Sequence, residues 1–173
     1  MELIEQLDNI RLAIVNNNIE SIRSILNDYP ELVNMSITTY FDTPLILSTY
    51  ILYLNYYNLD IRHNIKIIIK IILEYNPNVN LCNNGGFTAL FNIISLYDEI
   101  NIIDDLIYRG ANVNLINRYH LSIFNYYLEH IANNPHHTNV LTSLLKAGLI
   151  IDTRYIDLNL LINLNLINHL ITI

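Results

Sequence analysis

Cysteine is the side chain most readily turned into a nucleophile, and this chain has one, Cys82. Activation needs a neighbouring base or cation to hold the thiolate. Cys82 instead adjoins Asn83-Asn84-Gly85-Gly86, the setting of an ordinary small loop residue. His136-His137, after Pro135, is the only run with a metal-ligand look. Adjacent histidines point in different directions, and no third ligand lies at a zinc-like spacing, so a solvated loop is expected and a metal is not. His63, His120, His130 and His169 are scattered. Asp104 and Asp105 precede Leu106 inside a helical pattern and read as a solvated face, because an acid/base pair needs a cleft. The chain has no phosphate loop, dinucleotide fingerprint, His-Glu-x-x-His or paired-Cys motif. No cofactor is expected, and the protein is read as a non-enzyme. The alternative is an enzyme or enzyme subunit with Cys82 or a His as its reactive group. Thirteen tyrosines are the more suggestive feature. Tyr50, Tyr53, Tyr56, Tyr57, Tyr97, Tyr126 and Tyr127 either pack or serve as contact anchors, since Tyr supplies contact area at low entropic cost.

The composition narrows the classes further. Of 173 residues, 52% are apolar and only 14% charged, the reverse of a disordered chain. Nine Lys plus Arg are unclustered and the net charge is −7. Nucleic acids and anionic membrane surfaces need a basic face, so both are excluded as partners, whereas a soluble protein partner is compatible. The apolar stretches at residues 44–57 and 65–73 are interrupted by Ser48, Thr49, Asn55, Lys66 and Lys70. They fall short of the roughly 20 apolar residues of a membrane span and are read as core helices. The start, Met1-Glu2-Leu3-Ile4-Glu5, has no basic, apolar leader pattern. The lone cysteine fits a reducing compartment, and the cytoplasm is expected. Asn and Ile are over-used throughout, a bias that AT-rich codons would produce.

Any reactive or binding group must be positioned by a repeating framework. Asn76-Pro77-Asn78-Val79-Asn80, Gly110-Ala111-Asn112-Val113-Asn114 and Gly148-Leu149-Ile150-Ile151-Asp152 each follow an apolar run of helical period. Pro30-Glu31-Leu32-Val33-Asn34 is a weaker copy. A second mark keeps step: Thr43-Pro44-Leu45, Thr88-Ala89-Leu90 and Leu121-Ser122-Ile123. Thr88 and Leu121 are 33 positions apart, and Val79 and Val113 are 34 apart. Leu3, Leu7, Ile10 and Ile14 recur at helical spacing, Asn16-Asn17-Asn18 turns the chain, and Ile19, Ile22, Ile25 and Leu26 form a second stripe. Thr43 suits a helix cap and Pro44 the first helical position. Gly110, Gly148 and Asn76 fall where a helix end calls for a left-handed residue.

The Thr-Pro-Leu start, the apolar second helix and the Gly-Ala-Asn-Val-Asn end resemble ankyrin repeats, whose period is about 33 residues. Residues 88–120 carry the closest match. The resemblance implies an all-α ankyrin-repeat solenoid of stacked antiparallel helix pairs, with nine or ten helices. It would form a single domain over residues 1–173, with about four repeats and a partial C-terminal capping repeat. It also implies a protein-binding role through the hairpin tips and the concave face of the first helices. The tips fall at Phe41, Asp42, Phe87, Tyr119 and His120. The inner-helix positions are Leu47 and Tyr50, then Asn92 and Ser95, then Asn125 and Leu128. The Asn-, Ile- and Tyr-rich style is similar to ankyrin proteins of large DNA viruses, which implies a host protein as partner. The sequence departs from the family in two ways. The His that usually follows Thr-Pro-Leu is replaced by Ile46, Phe91 and Phe124. The hairpin Gly survives only as Gly86, with Phe41 and Tyr119 in its place elsewhere, and bulky residues dislike positive φ, so those hairpins are expected to differ from the ideal.

Two spacings exceed the period: Thr43 to Thr88 is 45 positions and Val113 to Ile151 is 38. The surplus is assigned to loops or helix extensions at residues 55–64 and 133–138. Within residues 156–173, Leu160, Leu161, Leu164, Ile167, Leu170 and Ile171 recur at spacings of three and four, which predicts one or two short capping helices. Without a charged outer face, that segment is also a surface for self-association.

Overall fold

The helical stripes read from the sequence become paired helices in two layers. The computed structural model describes residues 2–131 and 137–151. The first pair is α1 (Glu2–Val15) and α2 (Ile19–Asp28), followed by a 3₁₀ turn at Pro30–Asn34. The second pair is α3 (Pro44–Leu54) and α4 (Leu59–Glu74). The third is α5 (Ala89–Ile93) and α6 (Ile100–Tyr108), joined through a 3₁₀ turn at Tyr97–Glu99. The fourth is α7 (Ile123–Ile131) and α8 (His137–Lys146). The described residues thus hold eight α-helices and no strand beyond one bridge, Ile116 to Ser122. Residues 132–136 and 152–173, which include most of the second surplus and the expected capping helices, lie outside the described residues.

Helix α3 packs on α1 and α5 to either side and on its own partner α4, while α2 packs on α4 and α6 on α8. The stripes meet in one continuous core. Ile10, Ile22, Leu52, Ile68, Phe91 and Leu144 are fully buried. The first helices of the second, third and fourth pairs are each started by a side-chain cap. Thr43 Oγ1 accepts from Ile46 N at 3.4 Å and Thr88 Oγ1 from Phe91 N at 3.5 Å. In the fourth repeat Ser122 Oγ accepts from Asn125 N at 3.1 Å. Ser122, not Leu121, is therefore the residue equivalent to Thr43 and Thr88, and that repeat runs one position later than the spacing suggested. The cap requires a side-chain oxygen, and Leu121 has none.

The second helices end as anticipated. Asn76, Gly110 and Gly148 all take positive φ, at 50°, 85° and 85°. Ala111 N and Leu149 N donate back to Leu106 O and Leu144 O at 2.9 and 3.0 Å, the bonding of a helix closed by a left-handed residue.

The first surplus is a helical extension. Helices α3 and α4 have 11 and 16 residues against 5 and 9 in α5 and α6. The overhang carries Arg62 and Lys66 across to the 3₁₀ turn of the next repeat. There Glu99 is only 2% exposed, accepting from Arg62 Nε at 2.7 Å and from Lys66 Nζ at 2.8 Å. Arg62 also pairs with Asp98 and lies 4.6 Å from the centre of the Tyr56 ring. Burial disfavours the Arg62 charge, but the hydrogen bonds and charges of Asp98 and Glu99 outweigh it and raise its pKa. Removing one partner of a buried pair leaves the other charge unpaired, at a cost of about 3 kcal/mol. Arg62→Met keeps the stem and leaves the buried Glu99 with Lys66 as its one remaining cation, so it is expected to lower stability by about 2–3 kcal/mol in urea denaturation. A change within about 0.5 kcal/mol would show that Lys66 alone suffices.

Candidate functional site

Three hairpins project between the helix pairs, and each is built around one polar side chain. Thr38 Oγ1 accepts from the backbone N–H of Tyr40 and Asp42 at 3.2 and 3.0 Å. Asn83 Oδ1 accepts from Gly85 and Phe87 at 3.0 and 3.1 Å. Asn117 Oδ1 accepts from Tyr119 and Leu121 at 2.9 and 3.0 Å. A side-chain oxygen that takes two successive turn amides fixes the turn locally. The hairpins are then linked to one another, since Asn84 N donates to Tyr40 O at 2.9 Å and Arg118 N to Gly85 O at 3.0 Å.

A second ladder ties the repeats together at the helix ends. Asn34 Oδ1 accepts from Asn78 N at 2.7 Å. Asn80 Oδ1 accepts from Asn112 N at 2.7 Å, and its Nδ2 donates to Gly110 O at 2.9 Å. Asn114 Oδ1 accepts from Ile150 N at 2.8 Å, and its Nδ2 donates to Gly148 O at 2.9 Å. The final Asn of each loop thus reads the backbone of the next repeat.

At the hairpin tips, Gly86 has φ +78°, and a Cβ there would stand 2.9 Å from Arg118 N. Phe41 and His120 occupy the equivalent positions with φ 64° and 60°. The expectation that these hairpins depart from the ideal is corrected: both bulky residues adopt the left-handed turn. His120 rather than Tyr119 is the Gly86 equivalent, in line with the Ser122 register. Phe41 is 58% exposed, so little packing compensates its backbone strain.

Beneath the hairpins, on the layer of first helices, lies an open groove of about 470 Å³. Six aromatic side chains line it: Tyr40, Tyr50, Tyr53, Phe87, Tyr119 and Tyr126. Tyr40, Tyr50 and Tyr119 are 71%, 46% and 67% exposed. Phe87 sits 5.6 Å edge-on to Phe91 and 5.9 Å from Tyr119, and Phe91 lies 6.0 Å from Tyr126, so the rings form a connected wall. The polar lining comprises Asp42, Asn83 and Asn92, with the backbone of Gly85 beside them. Asp42 is buried, and its two carboxylate oxygens accept from Asn83 Nδ2 at 2.9 Å and Thr38 Oγ1 at 2.8 Å. Asn92 Nδ2 donates to Ile46 O and Thr49 Oγ1 at 3.0 and 3.1 Å. The Tyr126 hydroxyl is pushed up to about 12 by burial, with the Tyr53 and Glu129 charges adding to it.

Of the residues expected to meet a partner, Asp42, Tyr50, Phe87, Asn92 and Tyr119 come together in this groove. Phe41 and His120 stand exposed at neighbouring tips. Leu47 is buried in the core and Leu128 packs half-buried against it. Ser95 is half-buried with an unpartnered Oγ. Asn125 is half-buried at the cap of α7. The one-residue register change moves the inner position of repeat four from Asn125 to Tyr126, which does line the groove. Tyr40 and Asn83 escaped the sequence reading of the site, and Tyr53 and Tyr126 entered it only among the tyrosines that either pack or serve as contact anchors.

The other candidates for chemistry stand apart. Cys82 is exposed and outside the groove lining. Asp104 is exposed on α6, and Asp105 pairs with Arg109 at 2.9 Å one turn on. His136 lies outside the described residues. Among the described residues no group of three or more His, Cys, Asp or Glu is placed to hold a metal, and no helix is long and apolar enough to cross a membrane.

The fold is an ankyrin-repeat solenoid. It is similar to the crystal structure of an ankyrin repeat domain from Acinetobacter baumannii AYE, with a TM-score of 0.65 at 17% identity, over 87% of this chain and 68% of the other. No family model and no curated protein matches the sequence.

The strained tip gives a direct test. A non-glycine residue in the left-handed region costs about 1–2 kcal/mol. Phe41→Gly relieves that strain while gaining unfolded-chain entropy, so a net stabilisation of about 0.5–1 kcal/mol is expected in urea denaturation. A loss of stability would mean that the Phe41 ring packs more than its exposure indicates.

Proposed function

We propose that this protein is a protein-interaction module whose partner docks in the aromatic groove between the hairpins and the first helices. The observation that carries this reading is the convergence of six aromatic side chains on one open concavity, three of them largely exposed. Isolated exposed apolar residues are ordinary, but a contiguous aromatic patch on a monomer signals an interaction surface. Tyr is enriched at binding hot spots because it covers area with few rotamers to freeze. The hairpin bonds supply preorganisation, which lowers the cost of docking. Phe41 and His120 extend the surface at the tips, and Tyr126 supplies the inner contact from the fourth repeat. The Asn-, Ile- and Tyr-rich style supports reading the partner as a host protein met in the cytoplasm.

Capture of partners from cell extract by the full chain tests the surface when three forms are compared. The double variant Tyr50→Ala with Tyr119→Ala is expected to lose the proteins that the unaltered chain retains. Tyr108→Ala, which removes a 90% exposed ring from α6 outside the groove, is expected to keep them. Retention by the double variant, or loss with Tyr108→Ala alone, would contradict the proposal.

A further inference from the structure

We infer that the groove recognises a cation: it receives a lysine or arginine side chain presented by the partner. This rests on the groove being the docking surface and adds the chemistry of what it holds.

Charge and donor balance point the same way. Among the described residues Asp42 is the only charged residue in the groove lining, and neither Lys nor Arg lines it. Each carboxylate oxygen has about two acceptor directions. Thr38 Oγ1 occupies one on Oδ2 and Asn83 Nδ2 one on Oδ1, which leaves one direction on each oxygen. Asp42 is 8% exposed, so an apolar plug would remove its remaining access to water without repaying the desolvation.

Most amide donors around the groove are already committed. Asn83 Nδ2 is given to Asp42, Asn92 Nδ2 to Ile46 O and Thr49 Oγ1, and Gly85 N to Asn83 Oδ1. An anion would meet the Asp42 carboxylate, whereas the tyrosine hydroxyls that line the groove can accept from a cationic group as readily as donate. A cation meets the carboxylate and the negative faces of the rings. A cation within about 6 Å of an aromatic centre is attracted by the ring quadrupole, most strongly where water is excluded. The protein already builds this contact elsewhere, with the Arg62 guanidinium over Tyr56. The net charge of −7 favours the approach of a basic segment.

The test is NMR titration of the full chain, following the tyrosine ring and backbone amide signals. The probes are blocked pentapeptides, acetyl-Gly-Ser-Xaa-Ser-Gly-amide, with Arg, Lys, norleucine or Glu at the central position. Arg and Lys peptides are expected to shift the groove signals, Tyr50 and Gly85 among them, and their relative affinities decide between guanidinium and ammonium. Norleucine and Glu peptides are expected to leave those signals in place. Asp42→Asn and Tyr50→Leu are each expected to weaken Arg or Lys binding by about tenfold or more. Tyr50→Leu keeps apolar area but removes the ring face, and its exposed site on α3 keeps the comparison valid if Asp42→Asn unfolds. Equal shifts from norleucine would overturn the cation site while leaving an apolar docking groove. Binding of the Glu peptide, or the absence of any shift from Arg and Lys, would overturn it too. Shifts confined to α2, α4 and α6 would instead count against the groove as the docking surface.

Discussion

Among the described residues, the helix pairs bury their apolar surface against one another. Helix α3 shows the constraint most clearly: it is covered by α4 within its repeat and by α1 and α5 from the repeats on either side. Leu45, Ile46 and Leu52 are almost wholly buried only because all three neighbours are present. Each fully buried Leu or Ile side chain contributes about 1.5–3 kcal/mol. That stabilisation is shared across repeat boundaries, so the folded state belongs to the stack rather than to a single unit. The asparagine ladder of Asn34, Asn80 and Asn114 adds directional bonds along the same boundaries and fixes how one repeat sits on the next.

The groove is a consequence of that stacking. Hairpins held at repeat spacing and bonded to each other through Asn84 N and Arg118 N form its upper wall. The first helices form its floor. Gly86 permits the close approach of the third hairpin to the second, since a side chain would collide with the Arg118 backbone. Phe41 keeps the same left-handed turn with a bulky exposed ring. Backbone strain that gains little packing is a feature that clusters at functional sites. Its place beside Tyr40 fits the docking surface proposed above.

Much of the fold was legible because two periodicities coincide: helical spacing within each repeat and recurrence of the Asn-Val-Asn end across repeats. Asn76 at the left-handed position and the surplus before α4 followed from side-chain chemistry and counting. The fourth repeat did not, because Leu121-Ser122-Ile123 offers both a 33- and a 34-residue spacing, and only the cap bond to Ser122 decides between them. That slip kept Tyr126, already named among the candidate anchors, out of the inner-helix positions. Tyr40 and Asn83 were hidden for another reason: they are brought to one concavity by hairpin docking, which no local pattern encodes. Leu47 had the right register but the wrong environment, since α3 is covered on both sides. The inter-repeat Asn contacts were masked by the abundance of Asn in the chain, which makes structural and incidental residues look alike.

The central claim is that the hairpin wall of the groove is part of the same cooperative unit as the core. Native-state hydrogen exchange tests it at the amides that cross repeat boundaries: Asn78, Asn84, Asn112, Arg118 and Ile150. The account predicts that these amides exchange with the same opening free energy as the amides of α4, as members of one cooperative unit do. Fast exchange of Asn84 and Arg118 while α4 stays protected would show that the hairpins open independently. The groove would then not be a preformed surface.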